Sequence, residues 1–180
     1  MGQATDVTFQ NGEIRNILGN GTCSPSMAFG ADHDDPRLTV LNTYIHDIGD
    51  NDPPANPQTC NFSYGVYLAF RNSRFEGNTW ANISAFGIHG YPNPQGNIIR
   101  NNTFCNTGPL LMRGSGNLVE GNRLYHVGQT AYPYERGKTL MVDASNTERN
   151  NTVSDSSGDC GAPTGGTILP TPRHLRVVTH

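Results

Sequence analysis

A phrase of four residues recurs six times along the chain and constrains the fold more than any other feature. Each copy has Asn or Gly first, usually Asn second, a variable residue third and an apolar residue fourth. The apolar ends are separated by 31, 35, 24, 20 and 29 residues. The repeating unit is therefore a coil of roughly 20 residues with loops of varying length, which is typical of a solenoid. The copies begin at Asn11, Asn42, Gly77, Asn101, Gly121 and Asn150.

Apolar and polar residues alternate on both sides of each phrase. This alternation predicts two short strands joined by a tight corner, and no stretch shows the helical period of about 3.6 residues. Gly and Asn adopt a positive φ at little cost, which suits them to the corner. We predict that the apolar ends of the phrases form one interior stack of a parallel β-coil, and that the residues two places before the phrases form another. The second stack contains Phe9, Val40, Phe75, Ile99 and Val119, and Glu148 takes the equivalent place in the last copy.

The corner residues and their neighbours predict two further columns. Equivalent amides in successive coils can form a hydrogen-bonded ladder, as they do in cross-β structures. Charges of alternating sign, one place before the corner, can pair on the surface. The predicted ladder contains Asn78, Asn102, Asn122 and Asn151, and the charged column contains Glu76, Arg100, Glu120 and Arg149.

Three segments carry a resemblance to a known family. They read Asn-Ile-Ile-Arg-Asn-Asn-Thr-Phe at 97–104, Asn-Leu-Val-Glu-Gly-Asn-Arg-Leu at 117–124 and Ser-Arg-Phe-Glu-Gly-Asn-Thr-Trp at 73–80. These segments resemble the repeats of right-handed parallel β-helix proteins of the pectin-lyase-like superfamily. The resemblance implies an all-β chain folded as a single-stranded right-handed parallel β-helix of about six coils. The superfamily includes polysaccharide lyases, epimerases, hydrolases, esterases and non-enzymatic phage and surface proteins, so fold alone does not select an activity.

The repeat also suggests the domain organisation. We predict one parallel β-helix over residues 1–153 and an irregular C-terminal extension or cap, rich in Gly, Pro, Ser and Thr, over residues 154–180. The first coil follows neither a signal segment nor a capping helix. An open end of a solenoid exposes backbone and core side chains, so we expect either a piece of a longer β-helix or a neighbouring domain or subunit that caps the N-terminal coil.

Composition excludes several classes of partner. The net charge of −3 and the absence of Lys or Arg runs argue against nucleic acid. The mean hydropathy of −0.53 argues against a membrane span. No pattern of metal ligands is present, and we expect neither a metal nor a cofactor. His46-Asp47, just past a corner, is interpreted as a turn contact rather than a catalytic dyad.

Four cysteines occur without a Cys-x-x-Cys pair. Cys23 and Cys60 each lie in a long polar insertion, and a Cys23–Cys60 disulfide is the first bridge that we predict. A Cys105–Cys160 bridge would then attach the C-terminal segment to the helix. Oxidised cysteines imply a secreted or cell-surface protein. The alternative is four unpaired thiols, some of them buried as small apolar residues.

A third strand in each coil carries the candidate site. These strands are predicted at 65–69, 87–91, 109–113 and 139–143. Side chains alternate across a strand, so one face of this sheet points away from the interior. Its two outward columns are Tyr67, His89, Leu111 and Met141, and Ala69, Tyr91, Arg113 and Asp143.

The polar members of these columns suit proton transfer at a sugar acid. An arginine neutralises a carboxylate and so acidifies the neighbouring C–H, while a tyrosine or histidine moves the proton. We predict Tyr67 or His89 as base, Tyr91 as proton donor and Arg113 as carboxylate ligand oriented by Asp143. In the superfamily that the chain resembles, uronate substrates lie across this kind of face.

A loop at 129–137 is predicted to form one wall of the groove. It contains Tyr132, Tyr134, Glu135 and Arg136, which can stack on sugars or hydrogen-bond to them and are the predicted substrate-binding residues.

Two functions follow from these observations. The first is an enzyme that acts on an anionic, uronate-containing polysaccharide by β-elimination or epimerisation. The alternative is a non-catalytic β-helix, a glycan-binding or structural module of a surface, fibre or phage protein. A passive sheet face would also explain the same residues.

Overall fold

A computed structural model of the chain describes residues 6–18, 26–31, 37–49, 63–69, 71–128 and 137–154. No helix in these ranges is long and apolar enough to cross a membrane. The regular structure consists of short strands. In chain order they are β1 (Asp6–Gln10), β2 (Glu13–Ile17), β3 (Met27–Ala31), β4 (Arg37–Leu41), β5 (Tyr44–Ile48), β6 (Tyr64–Leu68), β7 (Arg74–Glu76), β8 (Thr79–Ile83), β9 (Phe86–Gly90), β10 (Ile98–Arg100), β11 (Thr103–Thr107), β12 (Leu110–Met112), β13 (Leu118–Glu120), β14 (Arg123–Tyr125), β15 (Leu140–Val142), β16 (Thr147–Arg149) and β17 (Thr152–Ser154).

The strands form three parallel sheets: the first five coils contribute one strand to each sheet, and the last described coil contributes one strand to sheet A and one to sheet B. Sheet A has the order β1-β4-β7-β10-β13-β16, sheet B the order β2-β5-β8-β11-β14-β17, and sheet C the order β3-β6-β9-β12-β15. Neighbours in each sheet lie three strands apart in sequence, so the chain winds through A, B and C in turn. This confirms the predicted all-β parallel coil, with six coils in the described residues.

The core occupies the space between the three sheets. Register pairs Val40 with Phe75 and Ile99 with Val119 in sheet A, as the predicted stack requires. Trp80 and Phe104 pair in sheet B and stack with ring centroids 6.1 Å apart. Both interior columns are confirmed, and their central members are completely buried: Val40, Ile45, Phe75, Trp80, Ile99, Phe104, Val119 and Leu124.

The corner between sheets A and B explains why the phrase begins with Asn or Gly. Its first residue has a left-handed backbone in all six coils, where a bulky side chain would be strained. The φ values are 53° at Asn11, 47° at Asn42, 66° at Gly77, 55° at Asn101, 65° at Gly121 and 56° at Asn150.

The second residue of the corner forms the predicted amide ladder. Nδ2 of Asn78 donates to Oδ1 of Asn102 at 3.0 Å, and Nδ2 of Asn102 donates to Oδ1 of Asn122 at the same distance. Nδ2 of Asn122 continues to Oδ1 of Asn151 at 2.9 Å. Each Oδ1 also accepts the backbone N–H of the residue in the preceding coil, as Asn122 does from Asn102. The ladder therefore satisfies buried backbone groups as well as its own amides.

A second ladder, which we did not predict, lies at the corner between sheets C and A. Nδ2 of Asn97 donates to Oδ1 of Asn117 at 2.9 Å, and Nδ2 of Asn117 donates to Oδ1 of Asn146 at 2.8 Å. These residues precede Asn102, Asn122 and Asn151 by five positions each. A pair of asparagines five residues apart in each of these coils is the sequence feature that could have predicted the second ladder.

The charged column on sheet A pairs as predicted. Arg100 and Glu76 approach to 2.9 Å, and Arg149 and Glu120 to 2.8 Å. Arg74 also bonds to Glu76. The hydrogen bonds and positive charges of the two arginines hold the pKa of Glu76 below its usual value, although its partial burial acts in the opposite direction.

Two predictions reach beyond the described residues. Cys105 is buried and disulfide-bonded, but Cys23, Cys60 and Cys160 lie outside the described ranges, so the predicted pairing stays a prediction. Residues 155–180 also lie outside them, and their role as an extension or cap stays a prediction.

Candidate functional site

Sheet C holds the predicted site residues in neighbouring rungs. Tyr67 pairs with His89, His89 with Leu111, and Leu111 with Met141. These residues form one outward column.

The second outward column lies just past the ends of the same strands. The backbone N–H of Arg113 donates to the carbonyl of Gly90, and that of Asp143 donates to the carbonyl of Met112, both at 3.0 Å. Arg113 therefore lies beside Tyr91 and Asp143 beside Arg113, as strand alternation predicts.

Two glycines lie near the beginnings of strands β6 and β9 in sheet C. A Cβ at Gly65 would lie 2.7 Å from Cε3 of Trp80, and one at Gly87 would lie 2.6 Å from Cδ1 of Phe104. Only glycine lets the backbone approach these core rings so closely. The preceding residues, Tyr64 and Phe86, belong to a separate apolar cluster outside the coil.

His89 lies inside an aromatic enclosure made by four side chains. Tyr64 stacks on it with a centroid distance of 5.2 Å and an interplanar angle of 7°. Phe86 contacts it at 4.4 Å and Tyr67 at 5.3 Å, both tilted. Tyr91 stacks at 5.6 Å and 15°. We call these four rings and His89 the aromatic row.

The enclosure changes the chemistry of His89. Its Nδ1 is buried and has no hydrogen-bond partner in the described part of the chain. Burial, and secondarily the positive charge of Arg113, lower the pKa of His89 to about 4. The imidazole is therefore neutral at physiological pH.

The other end of the site is open and charged. Nη1 of Arg113 lies 3.2 Å from Oδ1 of Asp143, and their side chains are 45% and 40% exposed. Tyr91 is 46% exposed, whereas Leu111 is only 4% exposed. The predicted patch therefore has a largely enclosed part at His89 and an exposed part at Tyr91, Arg113 and Asp143.

Two of the four aromatic residues that surround His89 were not predicted from the sequence. Alternation counted back from Tyr67 and His89 directs Tyr64 and Phe86 inward, but both contact His89 on the outside. Their common pattern, an aromatic residue followed by glycine and a β-branched residue, could have marked them.

The predicted wall of the groove cannot be placed on this site. Tyr132, Tyr134, Glu135 and Arg136 lie outside the described residues. Their substrate-binding role stays a prediction.

A second polar cluster lies on the outer face of sheet B. Nε2 of His46 is 2.9 Å from Oε1 of Glu13, and its Nδ1 is 2.7 Å from Oδ2 of Asp47. Hydrogen bonds from Asn82 and His46 hold the pKa of Asp47 below its usual value, against the effect of burial. Asp47 also has a left-handed backbone, with φ at 54°. Both ring nitrogens thus have partners, which agrees with a contact that holds the first two coils together.

The described residues contain no group of three or more His, Cys, Asp and Glu side chains placed to hold a metal ion.

Comparison with protein families finds a match. A family model described as right handed beta helix region matches residues 58–162. This range contains strands β6 to β17 and hence every described residue of the aromatic row and of the Arg113–Asp143 pair. Neither the curated proteins nor the solved structures contain a match.

Proposed function

The chain belongs to the right-handed β-helix family, and we propose that it acts on an anionic, uronate-containing polysaccharide by β-elimination or epimerisation. The observation that carries this proposal is the juxtaposition of the aromatic row with the Arg113–Asp143 pair on one sheet face. Rings offer flat surfaces for sugars, and the arginine offers a bidentate ligand for a carboxylate.

Arg113 is suited to exchange partners. Its pair with Asp143 is single and exposed, and such pairs contribute about 0–1 kcal/mol. A uronate carboxylate can therefore bind to the guanidinium while Asp143 keeps its orientation. Binding would place the sugar ring beside Tyr91, the most exposed member of the row.

The reaction would begin with removal of the proton at C5, next to the carboxylate. Neutralisation of that carboxylate by Arg113 lowers the barrier, because negative charge accumulates there. Tyr67 or His89 would act as base. In elimination Tyr91 would protonate the leaving oxygen at C4, whereas in epimerisation a proton would return to C5 from the opposite face.

The setting is also part of the proposal. A polysaccharide substrate and a disulfide-bonded Cys105 fit a secreted or cell-surface protein. In the first coil Phe9 and Ile14 are only partly buried, which supports a neighbouring domain or subunit as its cover.

A panel of uronate polymers tests the reaction. Elimination is measured by the absorbance of the unsaturated product, and epimerisation by NMR of the polymer. We expect wild-type turnover of at least one polymer and a loss of about a hundredfold or more in Arg113→Ala. Arg149→Ala, which removes a similarly exposed and paired arginine on sheet A, is the matched control and should keep full activity. Absence of turnover on all polymers, or an equal loss in the control, would contradict the proposal.

A second function is favoured by one observation. The pKa of about 4 makes His89 a weak base, while its stacking within the aromatic row suits sugar binding. A non-catalytic glycan-binding or structural module would bind a polymer without turnover. Arg113→Ala would then lower the affinity only modestly.

A further inference from the structure

The two nitrogens of His89 differ in what can reach them. Nδ1 is buried among the rings of the aromatic row and has no partner in the ranges that the structure describes. Nε2 is not among the buried side-chain atoms that lack a partner in the described residues, and His89 as a whole is partly exposed, so Nε2 is the nitrogen that a ligand can reach.

This difference bears on the tautomer. A neutral imidazole carries one proton, and its second nitrogen is a bare acceptor. Protonation of Nδ1 would leave a buried N–H with no acceptor in the described part of the protein, which is a rare arrangement in folded proteins. Protonation of Nε2 places the N–H where water or a ligand can accept from it.

We infer that His89 acts as a neutral hydrogen-bond donor through its Nε2–H group, and that it is not the base. This inference rests on the proposed function, and it leaves removal of the C5 proton to Tyr67.

A base at His89 would face two obstacles. Nε2 could accept a proton only if it were bare, which would move the resting proton to the buried Nδ1. The product would then be an imidazolium beside the cation of Arg113, in a site that already lowers the pKa of His89 to about 4. Tyr64 and Phe86 are positioning residues that act through His89, because their rings pack against the imidazole at centroid distances of 5.2 Å and 4.4 Å.

In the elimination step Tyr67 first gives its phenolic proton to solvent, and the tyrosinate takes the C5 proton while the C5–H electron pair becomes the C4–C5 double bond. The C4–O4 bond breaks, and O4 takes its proton from Tyr91. Solvent then protonates Tyr91 and accepts the C5 proton from Tyr67. His89 keeps its own proton throughout and donates a hydrogen bond to a carboxylate oxygen, where charge accumulates. A neutral donor of this kind stabilises the charge without transferring a proton.

The tautomer can be measured in the full chain without any substrate. Long-range ¹H–¹⁵N spectra of ¹⁵N-labelled protein distinguish a protonated from a bare ring nitrogen. The chain has six histidines, and the signals lost in His89→Gln identify this one. We expect a neutral ring protonated at Nε2 from about pH 8 to about pH 5. A proton at Nδ1, or a doubly protonated ring at about pH 6, would overturn the inference.

Two substitutions test the role in turnover, on the uronate polymer that the wild type converts. His89→Gln retains an amide N–H near the place of Nε2, whereas His89→Leu fills a similar space without a donor. We expect His89→Gln to stay within about tenfold of wild type and His89→Leu to lose about a hundredfold or more. Circular dichroism checks that both variants fold.

Equal loss of turnover in both variants would show that a donor at this place is not enough, and would overturn the donor role. If the wild type turns over no uronate polymer, the proposed function fails. The NMR measurement of the tautomer then tests by itself whether Nε2 of His89 carries the proton.

Discussion

At the residue scale, the chain contains two histidines whose surroundings differ sharply. His46 has a carboxylate at each ring nitrogen, Glu13 at 2.9 Å and Asp47 at 2.7 Å. His89 has aromatic rings on its faces and, among the described residues, no partner at Nδ1. Burial without a compensating acceptor disfavours the charged imidazole, and the cation of Arg113 adds to this effect. The same residue type is therefore a structural contact in one place and a candidate functional group in the other.

The lowered pKa of His89 predicts a loss of stability in mild acid. The unfolded histidine binds a proton below pH 6.5, whereas the folded one does so only below about 4. The unfolded state thus binds more protons between these values, so the free energy of unfolding falls as the pH falls through this window. The loss reaches about 3 kcal/mol at most. Urea denaturation of wild type and His89→Leu at a series of pH values measures it as a difference.

Arg113→Gln serves as the companion variant. It removes the positive charge that contributes to the lowered pKa of His89 but keeps the aromatic rings around it. The loss of unfolding free energy in mild acid should therefore become smaller without disappearing. If the free energy of unfolding changed with pH in the same way in wild type and in His89→Leu, this explanation would be contradicted.

At the element scale, the corners hold successive coils together. Short strands of three to five residues form few backbone hydrogen bonds each. The asparagine ladders add bonds that run along the helix axis, from one coil to the next. Asn122 illustrates the arrangement: it donates to the carbonyl of Ile99 and to Asn151, and it accepts the backbone N–H and the Nδ2 of Asn102.

Asn122→Ala should therefore destabilise the fold strongly. It leaves the buried N–H groups of Asn102 and the carbonyl of Ile99 without their partners, at an expected cost of about 2–5 kcal/mol. Asn151→Ala is the matched control at the end of the ladder, where the side chain is only partly buried and the cost should be smaller. Urea denaturation of both variants gives the comparison. Equal losses at the two positions would show that the ladder does not act through burial.

At the scale of the whole molecule, the two described ends of the coil do not match each other. At the first coil, Phe9 and Ile14 present partly buried apolar side chains. At the last coil, the same interior columns hold Glu148, which is exposed, and Val153, which is 48% exposed. Stacking one copy on another would bury the carboxylate of Glu148 between Val119 and the Phe9 of the next copy. An inward charge at a sheet edge is a common device against such association.

Glu148→Val should promote end-to-end association. Burial of an unpaired carboxylate costs several kcal/mol, and the substitution removes that cost from the stacked arrangement. Light scattering after gel filtration should show larger particles that increase with protein concentration. Thr147→Val, on the same exposed strand, is the control and should behave as wild type. A Glu148→Val chain with the same mass as wild type at all concentrations would contradict this role.

Much of the architecture could be predicted from local pattern, since it rests on short-range rules. A corner with a left-handed backbone needs Asn or Gly, as at Asn101 and Gly121, and strand alternation then assigns Ile99 and Phe104 to the interior. Equivalent residues stack because every coil repeats the same geometry. The neighbours within the outward columns of sheet C, from Tyr67 to Asp143, followed from the same rule.

The environment of the site depended on contacts that no local pattern contains. Gly65 and Gly87 were predicted as the first residues of two strands, but the sequence did not show their close approach to Trp80 and Phe104 in the neighbouring sheet. Where Gly65 lies against the core, the preceding residue Tyr64 points outward and stacks on His89. The burial of Nδ1 of His89 and the lowering of the pKa of His89 both depend on side chains from several coils. Periodicity along the chain is therefore enough to place a residue in its column, whereas its protonation and exposure are set by the packing between coils.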